Sequence, residues 1–186
     1  NVRLAKAGES IDLLDGTHAE LDDQTLVIAD AKKPIAIAGV MGGAHSAIDT
    51  DSVDIILEAA HFTKVSAAGA ARRYGLHTDS SHRYERGVDP FLPIEAMQRA
   101  SELVLEICGG EAGPITTATH EPSLAQSNKV ALRFSRLQSL LGLSLERAEV
   151  TDMLRRVSDR VEETDEGWLV TAPAYRFDIA YEADLV

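Results

Sequence analysis

Hydrophobic and polar positions along the chain alternate first at the spacing of strands and later at that of helices. Ser10 to Leu14 and Thr17 to Leu21 alternate apolar and polar residues on either side of Asp15-Gly16. This dipeptide supplies the positive φ angles of a tight hairpin turn. Thr25 to Asp30 and Ile35 to Ala38 form a second expected pair around Lys32, Lys33 and Pro34. The glycine-rich run Gly39 to Gly43 then bends the chain. Val53 to Ala60 is a nearly continuous apolar run with Glu58 inside it, and it reads as a buried strand. Thr63 to Tyr74 reads as a helix with Thr63 at its start and Gly75 at its end. Phe91 to Cys108 reads as a longer one, opened by Asp89 or Pro90 and closed by Gly109-Gly110. Its stripe of Ile94, Met97, Ser101, Val104, Leu105 and Cys108 is expected to face inward.

The pattern breaks at the polar stretch from Glu121 to Asn128, which reads as a linker, and the expected domains are residues 1–125 and 126–186. Beyond it come a strand over Lys129 to Phe134 and helices over Ser135 to Leu141 and Ser144 to Val157. Strands over Arg160 to Glu163 and Trp168 to Ala172 follow, around a turn at Asp165 to Gly167. Strand, two helices and a hairpin suggest a small winged-helix-like unit. The expected fold class is α+β throughout.

Composition narrows the chemistry. The chain has 186 residues, 45% of them hydrophobic, which is enough for one large or two small cores. A single cysteine, Cys108, excludes an internal disulfide and points to a reducing cytoplasm. No apolar run approaches the ~20 residues of a membrane span, and no signal peptide is recognisable. The sequence starts at Asn1 without a methionine and stops within a charged run, so a fragment of a longer protein is expected. The formal net charge of −12 makes the chain a poor general binder of polyanions, so any nucleic-acid contact must be local.

Several residues carry candidate chemistry, and each has a plainer reading. Glu58 is either an edge carboxylate in solvent or one aimed into a pocket. Gly39, Gly42 and Gly43 are either an ordinary bend or a nest of N–H groups for an anion. No Lys-Ser/Thr pair follows to make a phosphate loop. His77, Asp79 and His82 are spaced for a metal, but no further His or Cys completes a tetrahedral set. Ser80 and Ser81 beside His82 lack the elbow and third member of a hydrolytic triad. Arg72, Arg73, Arg83 and Arg86 either pair with Asp79, Glu85 and Asp89 or form a local phosphate-contact patch. Trp168 belongs to a core.

A resemblance goes further. GVMGG, ILEAAHF, ARRYGLHTDSSHRYERGVDP and the helix ending CGGEAGP occur in this order, and together they resemble the editing module of the bacterial phenylalanyl-tRNA synthetase β subunit family. VALRFSRLQSLLGLSL and WLVTAPAYRFDIAYEADLV resemble the small module that follows it. The resemblance spans essentially the whole chain. It implies a mixed α/β editing module, here its later portion, and then a truncated winged-helix-like module.

The family joins phenylalanine to tRNA(Phe) with ATP and magnesium, in the cytoplasm, as an α2β2 heterotetramer. Its synthetic site is on the α subunit, so this chain is expected to bind no ATP of its own. The β editing module hydrolyses tyrosine wrongly attached to tRNA(Phe). The resemblance implies that Glu58 meets the tyrosine hydroxyl. It places Gly39, Gly42 and Thr78 around the pocket, with Ser80 standing where relatives have alanine. A family histidine from earlier in the module is not in this chain. No catalytic side chain is evident, and a positioned water, helped by the tRNA's terminal hydroxyls, is the expected mode of hydrolysis. Asp178 and Asp184 match two magnesium ligands, an incomplete set that is expected to stay empty here. The alternatives are a nucleic-acid-binding winged-helix module and a free-standing editing protein.

Overall fold

The computed structural model describes residues 1–124 and 127–186. The expected boundary between residues 125 and 126 lies outside the described residues. The chain forms two compact units, Asn1–His120 and Glu121–Val186.

The first unit begins with strand β1 (Val2–Leu4), then β2 (Ser10–Asp12), β3 (His18–Glu20), β4 (Leu26–Ala29), β5 (Pro34–Ile37) and β6 (Met41–Gly42). β2 and β3 make the expected antiparallel hairpin. Its turn is wider than a two-residue one: the Leu13 amide donates to the Thr17 carbonyl, and Gly16 alone takes a positive φ, 86°. Asp15 instead accepts the Thr17 amide on its side chain, the local bond that makes aspartate a turn residue. The remaining strands form an antiparallel sheet in the order β1-β4-β5-β6. Helix α1 (Lys64–Tyr74) packs its small face on this sheet. Ala70 and Ala71 join Leu13, Val27, Ile37 and Val40 in one core. Both caps are the expected ones: Thr63 accepts the Ser66 amide, and Gly75 is left-handed at φ 65°. At the end of α1 the Tyr74 hydroxyl lies 2.5 Å from the buried Thr25 hydroxyl, and Arg73 pairs with Asp22 at 2.8 Å.

Two expectations fail in this unit. Residues 53–60 form no strand and pair with none among the described residues, and Val53 and Ile56 are 90% and 97% exposed. Apolar content shows what a segment could bury; a strand also needs a neighbour for its N–H and C=O groups. The expected long helix forms as α3 (Leu92–Cys108), but none of its residues is buried. Ile94, Leu105 and Cys108 of the expected inward stripe are exposed.

Between these lies an eight-residue helix read as a loop from sequence, α2 (Asp79–Arg86). Its composition is polar and shows no apolar period. The signal it does carry is a capping box. The Ser81 amide donates to the Thr78 hydroxyl at 2.9 Å, and the Thr78 amide to the Ser81 hydroxyl at 3.0 Å.

The second unit follows the expected order: β7 (Lys129–Arg133), α4 (Phe134–Leu141), α5 (Arg147–Arg155), β8 (Arg160–Glu163) and β9 (Gly167–Thr171), with a short α6 (Glu182–Leu185) in addition. The antiparallel sheet runs β7-β9-β8. Leu132, Leu137, Val150, Leu154, Trp168 and Val170 form its core. Gly167 is required by close approach: a Cβ there would run into the Leu132 carbonyl oxygen and lie 2.9 Å from the Phe134 amide nitrogen.

Each unit holds one strongly acidified glutamate. Hydrogen bonds from the Arg3 guanidinium pull the Glu9 carboxyl down to about 2, and those from Arg133 do the same for Glu182. Glutamate in an unfolded chain titrates near ~4.3. A folded-state value below that contributes stability above pH ~4.3, which is lost as pH falls toward 2. Unfolding midpoints should therefore drop between about pH 4.5 and 2. Glu9→Gln should flatten the drop in the first unit, and Glu182→Gln should flatten it in the second. Unchanged pH profiles in both variants would contradict these assignments.

Candidate functional site

The start of α2 is tied to the turn after β5. The Thr78 hydroxyl, besides capping α2, donates to the Val40 carbonyl at 2.8 Å, and the Ser80 hydroxyl donates to the Gly39 carbonyl at 3.0 Å. Gly39 is left-handed, φ 70°, and the Val40 amide closes the turn on the Ile37 carbonyl. A Cβ on Gly39 would lie 3.1 Å from the Tyr84 ring and 3.3 Å from Phe62, so a side chain there fails on both conformation and space. One turn further along α2, the Tyr84 hydroxyl donates to the Ala60 carbonyl at 2.6 Å. The Tyr84 and Phe62 rings are 5.5 Å apart and tilted.

Glu58 lies on the segment, outside any strand or helix, that Tyr84 grips. The residue as a whole is exposed, yet enough protein surrounds its carboxyl that desolvation raises its pKa above the ordinary value. No hydrogen bond or ion pair to its side chain is present among the described residues. Burial, and then the negative Glu58, push the Tyr84 phenol up to about 12. Burial also lowers His61, against the opposing pull of Asp89.

Of the five pocket residues expected from sequence, Ser80 is bonded to Gly39, and Thr78 to the adjacent Val40 in the same turn. Glu58 is connected to them through Ala60 and Tyr84. Gly42 lies on β6, where a Cβ would meet Leu14 at 3.3 Å. The sequence reading missed Tyr84, Phe62 and His61. The available signal was aromatic scarcity, since two rings of a chain that is 5% aromatic meet here.

The plainer readings of the neighbouring residues are resolved as well. Ser81 is taken up by the capping box and Ser80 by the Gly39 carbonyl, so neither is held as a nucleophile. The His77 and His82 rings are 6.4 Å apart, but no group of three His, Cys, Asp or Glu among the described residues could hold a metal. None of the four clustered arginines pairs with Asp79, Glu85 or Asp89 among the described residues; Arg73 pairs with Asp22 instead. In the second unit Asp178 is held by Arg176 through two bonds of 2.8 Å, while one Asp184 oxygen accepts the Ala180 and Tyr181 amides. Both are oxygen donors of the kind magnesium takes. Two carboxylates already engaged in this way do not make a near-octahedral set, so the residues present do not by themselves fit the ion.

Thr78 holds both α2 and the Gly39 turn. Thr78→Ala should destabilise the first unit by about 1 kcal/mol or somewhat more, the usual cost of losing an N-cap. Thermal unfolding would show this as a fall of a few degrees, and an unshifted midpoint would contradict it.

Residues 1–109 match the family model of the B3/4 domain, and residues 130–186 match that of the tRNA synthetase B5 domain. The fold and these matches describe a chain of two units, the first matching the B3/4 model and the second the tRNA synthetase B5 model. The chain belongs to the B3/4 domain family. It is 51% identical over 185 residues to the phenylalanine–tRNA ligase beta subunit of Dickeya dadantii (strain 3937), covering 100% of this chain and 23% of that protein. It is 52% identical to the beta subunit of Vibrio cholerae serotype O1 and 49% to that of Yersinia pestis, with the same coverage. The chain thus spans about a quarter of the length of these relatives. Along the whole chain, the resemblance read from the motifs holds as one to phenylalanine–tRNA ligase β subunits. No helix among the described residues is long and apolar enough to cross a membrane.

Proposed function

We propose that this chain works as the B3/4–B5 portion of a phenylalanine–tRNA ligase β subunit, and that its first unit edits tyrosine mischarged to tRNA(Phe). In this reading the complete cytoplasmic enzyme is an α2β2 heterotetramer that charges tRNA(Phe) with ATP and magnesium. The α subunit carries the synthetic site. Asp178 and Asp184 contribute to a magnesium site only together with ligands from outside this chain.

The observation that carries the editing assignment is the tie of Thr78 and Ser80 to the Gly39 turn, with a desolvated Glu58 carboxylate close enough to Tyr84 of the same helix to raise its phenol. Ionised Glu58 accepts the phenol O–H of the tyrosyl group. The missing side chain at Gly39 lets the Tyr84 and Phe62 rings pack against its backbone as part of the pocket wall. The hydroxyls of Thr78 and Ser80 face backbone carbonyls and shape the wall without reacting. A water molecule adds to the ester carbonyl, and the tRNA's terminal hydroxyl leaves with a proton, freeing tyrosine. Phenylalanine bound in the same place would leave the Glu58 carboxylate without its donor, so the pocket discriminates against it. The deciding measurement is release of tyrosine from mischarged tRNA(Phe) by the complete two-subunit enzyme with Glu58 altered.

A further inference from the structure

We propose that Tyr84 is a positioning residue for this site, holding the Glu58-bearing segment in place through its hydroxyl while its ring closes over Gly39. The inference rests on the editing reading for its functional consequence, but its structural content stands separately. Residues 53–62 belong to no strand or helix, and among the described residues no backbone–backbone hydrogen bond holds them. The bond from the Tyr84 hydroxyl to the Ala60 carbonyl, 2.6 Å, ties this stretch to α2. Ala60 is two residues from Glu58, so the bond restrains the position from which the carboxylate is presented.

Tyr84 is itself rigidly placed. Its helix starts at the Thr78 capping box, and the Thr78 and Ser80 hydroxyls bind the Val40 and Gly39 carbonyls. Its ring packs against Phe62 and the bare face of Gly39. The phenol, pushed up to about 12, stays a proton donor at every pH at which the enzyme would work. The bare Gly39 lets the tyrosine approach closely enough to reach Ala60.

Tyr84→Phe keeps the ring and removes the tether, a conservative change that spares the fold. A neutral hydrogen bond of about 1 kcal/mol corresponds to about a fivefold change in population. In the complete two-subunit enzyme, chymotryptic cleavage after Phe62 should become about fivefold faster, because proteolysis follows the open population of a segment. Release of tyrosine from tRNA(Phe) should slow by a similar factor, with phenylalanine charging unchanged. In a Glu58→Ala background the added Tyr84→Phe change should have no further effect on release, since both act through one carboxylate. Unchanged cleavage after Phe62 would overturn the tether. Slowing that simply multiplies in the double variant would show the hydroxyl acting apart from Glu58 and overturn the positioning role. If Glu58→Ala alone leaves tyrosine release untouched, the editing reading falls, and the cleavage rate still decides whether Tyr84 holds the segment.

Discussion

Glu58→Ala in the complete enzyme is expected to slow release of tyrosine from mischarged tRNA(Phe) by about ten- to a hundredfold, with phenylalanine charging intact. The magnitude follows from a hydrogen bond to a charged acceptor, about 1.5–3 kcal/mol. On the editing reading, the Phe62 and Tyr84 rings would offer apolar contact to either amino acid, and such contact separates them poorly because tyrosine only adds a hydroxyl. On the same reading Glu58 supplies the difference. Its carboxyl titrates above the ordinary glutamate value because of desolvation, so the acceptor becomes protonated at a higher pH than an exposed glutamate would. Selectivity for tyrosine should accordingly fade on acidification before the fold weakens, since the stability held by the acidified Glu9 and Glu182 is lost only as pH falls from ~4.3 toward 2. Glu58→Gln, an acceptor without charge, should remove that pH dependence and fall between wild type and Glu58→Ala in rate. A Glu58→Ala enzyme that clears tyrosyl-tRNA(Phe) at the wild-type rate would end the editing assignment.

What the sequence made legible were the parts governed by local rules. Thr63 and Gly75 bracket α1 because capping geometry depends on a few adjacent residues. The order of elements in the second unit followed from apolar periods interrupted by Gly142 and by the turn before Gly167. What was not legible depended on neighbours. The apolar run at 53–60 gave no sign of which surface, if any, covers it, and it is open here. The stripe on α3 repeats the lesson: its period predicts a helix correctly but does not supply a partner for its face. The α2 helix was hidden because DSSHRYER has no apolar rhythm; its start is fixed by side-chain bonds to Gly39 and Val40, some forty residues back along the chain. Glu58 stood out as a carboxylate among the apolar residues 55–60. Tyr84, which grips that segment, could not be assigned a role until the fold brought it to Ala60.

Trp168→Ala should have the largest effect on stability. The indole is 1% exposed in the centre of the second unit's core, and a Trp→Ala change in such a place costs about 3–5 kcal/mol. More than volume is lost. The indole N–H donates to the Thr151 hydroxyl at 2.8 Å, and that hydroxyl donates in turn to Glu163 on the neighbouring strand. Phe134 meets the ring edge-on at 5.6 Å. The Arg147 guanidinium lies 4.8 Å from the ring centroid while donating to the Thr164 and Gly167 carbonyls, so the ring also orders the turn between β8 and β9. A unit this small rarely has more than about 3–5 kcal/mol in reserve. The substitution should therefore abolish amide-exchange protection across β7, β8 and β9. Trp168→Phe keeps most of the packing but leaves the Thr151 oxygen without its donor, so it should weaken protection by about 1–3 kcal/mol without removing it. The chain has one tryptophan, so its fluorescence in the parent protein reports unfolding of this unit alone and gives the reference curve. Full protection of β7–β9 in Trp168→Ala would mean that the Leu132, Leu137, Val150 and Leu154 side chains hold the core without the indole, and the network through Thr151 would then be incidental to stability.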